Sequence, residues 1–153
     1  SNGSFFGLDG ADNFHIHQRE SGKVIALRHT NSTKLEIDTN GVKLASTMRF
    51  DVTDDGNSGT SKTINWGSGN RHKLTLTGNV TLTFTAPSGD AVLSLILVQD
   101  GTGSRLVTWP SSVKWPGGTA PTLSTGASKV DIVTLIYNSA AGHYYAQAAM
   151  DFR

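Results

Sequence analysis

Apolar residues alternate with threonine between residues 74 and 84, and this alternation constrains the fold more than any other feature of the chain. The apolar positions are Leu74, Leu76, Val80, Leu82 and Phe84. Successive side chains of a β-strand point to opposite faces, so a period of two predicts strands with one buried face and one face in water. We expect an antiparallel hairpin here, with Gly78-Asn79 as its turn.

The composition agrees with a β-rich fold. Charged residues make up only 16% of the 153 residues, against about 25% in a typical soluble domain. Glutamate occurs only at Glu20 and Glu36. Because good helix formers are scarce, a helical bundle is excluded. The 37% of hydrophobic residues, gathered in several apolar runs, also argues against wholesale disorder.

Charge and cysteine content exclude several classes of function. The formal net charge is +1, from 13 basic and 12 acidic residues, which is no footprint for nucleic acid or an anionic membrane surface. There is no cysteine, so disulfides, zinc-thiolate sites and thiol nucleophiles are excluded. The longest apolar stretch, residues 91–98, is too short to cross a bilayer, and we expect no membrane insertion. The start at Ser1 without a signal peptide predicts a fragment of a longer protein.

The two halves of the chain differ in composition, which predicts two domains. Residues 1–59 are polar and turn-rich, and residues 60–153 carry the long apolar runs. Residues 54–59 contain no apolar anchor, so we expect a loop there and place the domain boundary at its end. Short strands are predicted in the first half at residues 14–18, 23–28, 34–38, 42–45 and 48–52. The sequence Thr39-Asn40-Gly41 predicts a hairpin turn, because asparagine and glycine tolerate positive φ.

The second half predicts the core of the protein. The continuous apolar runs Val92–Val98 and Val130–Tyr137 are typical of central strands packed on both faces. Tyr144–Met150 predicts the last strand. The predicted fold class is therefore all-β, an antiparallel β-sandwich head preceded by an elongated β segment.

Two Trp-Pro pairs mark the region between the predicted central strands. Residues 99–123 read QDGTGSRLVTWPSSVKWPGGTAPTL, followed by VDIVTLIY and a Tyr-Tyr strand that ends at Asp151-Phe152. Over residues 62–153 the chain resembles the C-terminal head domains of bacteriophage tail fibres and related tail proteins. The IDTNGVKL sequence of the first half is similar to the shaft segments of such fibres. The resemblance implies a shaft-like segment at residues 1–59 and an intertwined homotrimer. It also implies a place at the distal end of a virion tail fibre, outside the cell, and a role in host attachment.

The same residues have a structural interpretation of their own. The Asp100–Gly103 segment is expected to form a tight turn, because glycine adopts backbone angles closed to other residues. Asp100 and Arg105 flank this turn and are expected to pair across it. Trp109 and Trp115 each precede a proline, which ends a strand because it cannot donate to the ladder. We expect both rings to cover the end of the core rather than to stack on sugars.

A bacterial receptor is the expected external partner, either a surface glycan or an outer-membrane protein. Sugars are bound by flat aromatic rings and hydrogen-bonding groups, and the weakly charged composition fits a neutral polar ligand. The candidate receptor-binding residues are Trp66, Arg71, His72, Tyr144 and Tyr145. Tyr144 and Tyr145 alternate along a strand, so only one of them is expected to face outward. The alternative for each residue is packing in the core or in a subunit interface.

His15 and His17 form the candidate metal site. Residues i and i+2 of a strand share one face, so both imidazoles are expected to point the same way. Two histidines are too few for a site in a monomer, but three chains around an axis supply six nitrogens. This octahedral set suits a transition metal such as iron or nickel better than tetrahedral zinc. The resemblance supports the site, since some phage fibre tips use His-x-His in this way. The alternative is a pair of surface histidines.

No pattern points to catalysis, and we expect a non-enzymatic protein. The sequence lacks a G-x-S-x-G elbow, and no Ser-His-Asp grouping is evident from spacing. Glycosidases need two carboxylates across a cleft, and the acidic residues Asp54, Asp55 and Asp100 fall at expected turns. The acidic segment 51–59 lacks the EF-hand spacing for calcium. Asp131 interrupts an apolar run, which favours a buried ion pair or a trimer contact. A purely structural trimerisation or capping domain, and less favourably a polysaccharide-degrading enzyme, are the alternatives.

Overall fold

A computed structural model describes residues 5–8, 14–17, 25–29, 32–38, 41–45 and 47–152. Side chains are described at residues 35, 37 and 41–45 and from residue 47 to residue 152. The chain divides into two compact units, residues 1–49 and 50–153. The described residues are all-β apart from one 3-10 turn at Pro116–Gly118, which confirms the predicted class. The described part of the chain has no helix long and apolar enough to cross a bilayer.

The described residues of the first unit form two small antiparallel sheets. The first pairs β1 (Phe5–Leu8) with β2 (Phe14–His17), and the second has the order β3 (Ile25–His29), β4 (Ser32–Asp38), β5 (Gly41–Leu44). Asp38 pairs with Gly41, so β4 and β5 form the predicted antiparallel hairpin. Gly41 has φ +122°, which favours glycine. The strand predicted at residues 48–52 is wrong, because these residues alternate in polarity but pair with no strand that the structure describes.

The second unit consists of two sheets that share one core. Its strands are β6 (Thr53–Asn57), β7 (Ser61–Asn65), β8 (Arg71–Leu76), β9 (Val80–Thr85), β10 (Ala91–Gln99), β11 (Val107–Thr108), β12 (Val113–Lys114), β13 (Val130–Asn138) and β14 (His143–Phe152). One sheet has the order β12-β14-β13-β10-β8-β6, and the other has the order β11-β9-β7. Buried apolar side chains of both sheets form a single cluster. Burial of this cluster is the main favourable contribution to the stability of the unit.

The hairpin predicted between Leu74 and Phe84 is wrong. β8 and β9 lie in different sheets, where β8 pairs in parallel with β10 and β9 pairs in parallel with β7. The backbone next to Gly78-Asn79 does not close a hairpin, since the Val80 amide donates to the Leu106 carbonyl at 2.9 Å. The alternation predicted which side chains are buried, but it did not predict which strands pair with β8 and β9. Both sheets of this unit therefore contain parallel pairs, and only β10, β13 and β14 follow the predicted antiparallel arrangement.

The loop predicted at residues 54–59 is also wrong, because its first part forms strand β6. β6 pairs in parallel with β8 at the edge of the six-stranded sheet. Its anchors are polar: Lys73 donates to Asp54 at 2.9 Å, and His72 bonds Asp55 at 2.8 Å. Hydrogen bonds between polar side chains of this kind cannot be predicted from the pattern of apolar residues. The second compact unit, which begins at Phe50, contains β6.

The two long apolar strands are central, as predicted. β10 lies between β8 and β13, and β13 lies between β10 and β14. On one face their side chains are buried, including Leu95 and Leu135 at 0% exposure. On the other face Val92 is 66% exposed and Ile136 is 55% exposed. The predicted packing on both faces is therefore absent from the single chain, and an apolar sheet face points away from its core.

The turn after β10 confirms its predicted pairing. Both Nε and Nη2 of Arg105 donate to Asp100 Oδ2, at 3.0 and 2.9 Å. Asp100 Oδ1 accepts the backbone N–H groups of Thr102 and Gly103. The Arg105 contact, followed by these amides, lowers the pKa of Asp100 below its ordinary value. Buried Gln99 exchanges two hydrogen bonds with the backbone of Arg105, so the turn is closed on both sides.

The two Trp-Pro pairs also end strands as predicted. Trp109 follows β11 directly and Trp115 follows β12 directly. Their rings meet edge-to-face at 5.1 Å and pack against the core cluster. Such pairs contribute about 0.5–1.5 kcal/mol beyond the area that they bury.

Candidate functional site

Three of the five candidate receptor-binding residues lie in the core. Trp66 is 2% exposed, His72 is 0% exposed and Tyr144 is 2% exposed. They join a chain of aromatic contacts in which Trp66 meets His72 at 4.8 Å and Phe84 at 5.5 Å, and Phe84 meets Tyr144 at 5.1 Å. A ring buried in this way offers no open face to a surface ligand. Burial also raises the pKa of the Tyr144 hydroxyl to about 12.

His72 holds a strand in place. Its Nδ1 lies 2.8 Å from Asp55 Oδ2, which fastens edge strand β6 to β8. Its Nε2 has no hydrogen-bond partner among the described residues, and the same is true of Trp66 Nε1 and Tyr144 Oη. Leaving these groups buried and unpaired carries a free-energy cost.

The other two candidates are accessible in the single chain. Arg71 lies at the start of β8 and is exposed. Tyr145 is 50% exposed and lies on the opposite side of β14 from Tyr144, as the predicted alternation requires. Because the other three candidates are buried, the five candidate residues do not form one surface site.

The side of β10, β13 and β14 that points away from the core forms a continuous surface, which we call the outer face. Its members are Val92, Ser94, Ile96, Val98, Val130, Ile132, Thr134, Ile136, Tyr145, Gln147 and Ala149. None of them carries a charge. Val92 pairs with Ile136, and Ile136 pairs with Tyr145, so apolar side chains run across all three strands. A sheet face that is exposed to water normally carries polar residues at such positions.

Charged residues occur only at the edges of the outer face. On β8, Arg71 lies opposite Ser94 and Lys73 lies opposite Ile96. On β12, Lys114 lies opposite Tyr145. The face also carries hollows: one of about 410 Å³ adjoins Val92 and Thr134, and one of about 310 Å³ adjoins Val92 and Ile136. An uncharged centre with a charged rim is the residue distribution of protein–protein interfaces.

The candidate carboxylates are each bonded within the fold. Asp131 is 2% exposed; its Oδ1 accepts Ser124 Oγ and the Asp151 amide, and its Oδ2 accepts the Ser124 amide. The predicted buried ion pair is therefore wrong, since these partners are neutral. Asp54 bonds Lys73, and Asp100 bonds Arg105. These carboxylates anchor strands and turns, and no two of the predicted acids face each other across a described cleft.

The strand needed by the candidate metal site is present. His15 and His17 lie in β2, where they pair with Gly7 and Phe5 of β1. Their side chains lie outside the described residues, so the metal site stays a prediction. Among the residues with described side chains, no group of three His, Asp or Glu is placed to hold a metal ion.

Comparison with known proteins identifies the family. Residues 59–141 match the sequence model of the family described as "Putative phage tail fibre C-terminal domain". No curated protein and no solved structure matches. The matched segment begins before β7 and ends in the turn between β13 and β14, so it contains most of the two-sheet unit with the central strands of the outer face. The family implies a component of the virion tail with a structural role. The matched residues cover more than half of the chain, which belongs to the family of phage tail fibre C-terminal domains.

Proposed function

We propose that this chain is a non-enzymatic tip domain of a homotrimeric tail fibre that attaches the virion to a bacterial surface glycan or outer-membrane protein. In this proposal the second unit is a β-sandwich head at the distal, extracellular end of the fibre. Three copies of the head pack through their outer faces. The outer face itself is the observation that carries the proposal.

Solubility supports burial of the outer face. Monomeric soluble proteins rarely expose contiguous apolar patches larger than a few hundred Å², and larger patches mark interaction sites. Here Val92, Ile136 and Tyr145 are each at least half exposed in the single chain. A second copy of the chain would remove this apolar area from water, which stabilises an assembly by about 25 cal/mol per Å² before the cost of association.

The first unit presents a similar feature. Val42 and Leu44 of β5 are 68% and 43% exposed, although both belong to an apolar pattern. A short three-stranded sheet buries little apolar area by itself. Both units therefore carry apolar side chains that a homotrimer would cover, while the number three comes from the resemblance to tail fibres.

Assembly through the outer face limits which residues can reach a receptor. Tyr145 lies on the outer face and would be covered by a neighbouring copy, whereas Arg71 lies on its rim and would stay accessible. The burial of Trp66, His72 and Tyr144 favours the alternative of a purely structural trimerisation or capping domain. The two functions differ in one observable, attachment of the isolated trimer to cells.

Replacing Ile136 with aspartate is expected to convert the trimer to monomers. Three carboxylates would have to enter an apolar interface without partners, and that desolvation cost exceeds the gain from packing. Because Ile136 is 55% exposed in the single chain, Ile136→Asp should still fold. The matched control is Thr81→Asp at an exposed position of β9, which should keep the wild-type mass. Analytical ultracentrifugation distinguishes the two, and an Ile136→Asp protein of unchanged mass would contradict the assigned interface.

Cell attachment tests the receptor function. Fluorescently labelled trimer is incubated with a panel of bacterial strains, with the Ile136→Asp protein as the control for multivalent binding. We expect the trimer to bind some strains strongly and the variant to bind them weakly. A stable trimer that binds no strain would favour the structural alternative. Loss of viscosity of a capsular polysaccharide during incubation would instead indicate an enzyme.

We also propose that His15 and His17 of three chains bind one iron, nickel or zinc ion on the trimer axis. The presence of both residues in strand β2 supports this, because residues i and i+2 of a strand share a face. Metal ligation would couple assembly to metal binding, since the site exists only in the trimer. Elemental analysis of protein purified without a His-tag should give one metal per three chains. His15→Ala with His17→Ala should abolish the metal, and a metal-free trimer whose thermal stability is unchanged by chelator would refute the site.

A further inference from the structure

A polar pocket lies in the second unit and borders the outer face, since its residues Asn70 and Asp90 also line the two hollows of that face. Two loops form it, one between β7 and β8 and one between β9 and β10, and it encloses about 440 Å³. Its lining includes Ser68, Asn70, Ser88, Gly89 and Asp90, with Trp66 at its margin. The volume lies in the lower part of the range of small-molecule sites. It would accommodate one or two sugar rings rather than a large ligand.

Asp90 provides a fixed acceptor in this pocket. Its Oδ1 accepts both the backbone N–H and the hydroxyl of Ser139, at 2.7 and 2.6 Å. These two bonds orient the carboxylate, and the Ser139 hydroxyl and amide lower its pKa so that it stays ionised at neutral pH. Oδ2 has no bond to any residue that the structure describes. It is therefore available to accept hydroxyl groups from a ligand.

Asn70 provides a second group held in place by the fold. Its Nδ2 donates to the Val92 carbonyl at 3.0 Å, and its own carbonyl accepts the Ser94 amide at 2.8 Å. These bonds tie the loop to β10 and leave the side-chain Oδ1 without a partner among the described residues. Ser68 closes the same loop by donating its amide and hydroxyl to the Asn65 carbonyl. A ligand would thus meet groups that need little reordering, which preserves affinity.

The chemistry of the pocket selects a ligand class. Free acceptors predominate, Asp90 is its single charged residue, and the glycines leave space beside the backbone. Anionic ligands are repelled by the carboxylate, and apolar ligands would leave it desolvated and unpaired. Neighbouring hydroxyl groups can donate to Asp90 Oδ2 and Asn70 Oδ1. We propose that this pocket binds the hydroxyl groups of a neutral saccharide, and this inference rests on the proposed role in attachment.

The binding experiment uses the full chain in its native assembly. Glucose, galactose and mannose are titrated separately into 15N-labelled protein, with N-acetylneuraminate as the anionic comparison. At least one neutral hexose should shift the amides of residues 67–70 and 88–90 saturably, with a Kd in the millimolar range, and the anionic sugar should not. No saturable shift with any neutral hexose, or an equal response to the anionic sugar, would overturn the proposal.

Two glycine variants locate the site. A Cβ at Gly89 or Gly101 meets no atom within 4 Å, and neither glycine has a positive φ that would resist substitution. Gly89→Leu should fill the pocket and weaken hexose binding at least tenfold, while Gly101→Leu, outside the pocket, should leave it unchanged. Asp90→Asn should weaken binding similarly while retaining the acceptor for Ser139. Binding that survives Gly89→Leu and Asp90→Asn would overturn the assignment.

The outcomes separate this inference from the proposed function. A trimer that attaches to cells but binds no neutral hexose refutes the pocket and leaves the attachment function standing. A trimer that binds a hexose in the pocket but attaches to no strain refutes attachment and supports a pocket for free saccharide. Competition of cell attachment by the hexose that binds would link the two.

Discussion

Gly103→Ala is expected to destabilise the second unit by at least about 3 kcal/mol, among the largest effects of any single substitution. Gly103 is buried and has φ +76°, a conformation that costs an alanine free energy. A Cβ there would collide with the Thr125 carbonyl oxygen and lie 2.8 Å from the Ala127 nitrogen. Both obstacles are backbone atoms, so no side-chain rotation relieves them. Urea unfolding at one fixed protein concentration measures the loss, because assembly makes stability depend on concentration.

Gly101→Ala is the matched control for this substitution. Gly101 belongs to the same turn, but a Cβ there meets no atom within 4 Å and φ is not positive. The change in the free energy of unfolding should be below about 0.5 kcal/mol. Equal unfolding midpoints for the two variants would show that the close approach of residues 103 and 125 does not exist in the folded protein.

Asp131→Ala is expected to cost about 2–4 kcal/mol, because it removes the acceptor for three donors in the core. The Ser124 amide, the Ser124 hydroxyl and the Asp151 amide all bond this carboxylate, at 2.8, 2.6 and 3.0 Å. Asp151 has φ +62° at the irregular end of the β13–β14 pairing, so the carboxylate also fixes a strained position. Its loss should loosen the end of β14.

The comparison for Asp131 is Asp51→Ala. Asp51 is exposed and makes no interaction within the described residues, so its replacement should change the unfolding midpoint little. Hydrogen exchange should show faster exchange of the last residues of β14 in Asp131→Ala alone. If Asp131→Ala unfolds like the wild type, its carboxylate is not a structural acceptor and its burial needs another explanation.

The sequence predicted burial well because burial follows local periodicity. Of the alternating apolar positions, Leu74, Leu76, Val80 and Leu82 are at most 1% exposed, and Phe84 is partly buried against the core. The hairpin at Gly41 and the Asp100–Arg105 pairing were also predictable, since both depend on residues close in the chain. Such features need no knowledge of the rest of the fold.

Strand pairing was less predictable, because it depends on residues far apart in sequence. Nothing in the apolar pattern indicates that β8 leaves its neighbour β9 and pairs with β10 and β6. β6 itself is held by Asp54 and Asp55 rather than by apolar contacts, so the apolar pattern predicts a loop at these residues. The pocket around Asp90 could not be predicted for the same reason, since two loops distant in sequence form it.

The apolar pattern of the outer face is present in the sequence, but the sequence does not show that this face is uncovered in the single chain. The runs around Val92 and Ile136 were correctly recognised as apolar on both sides, yet the single chain covers only one side. Apolar periodicity predicts which faces of a strand are buried. It does not predict whether the same chain or another copy covers each face. In this protein the exposed apolar side chains of the outer face are the observation on which the proposed assembly rests.

The mass of the full chain in solution tests the central claim most directly. Light scattering coupled to size-exclusion chromatography at micromolar concentration should give about three times the chain mass of 16.2 kDa, and Ile136→Asp should reduce it to that of one chain. A wild-type mass of 16.2 kDa would contradict the account, because the outer face would then be exposed to water in the native protein.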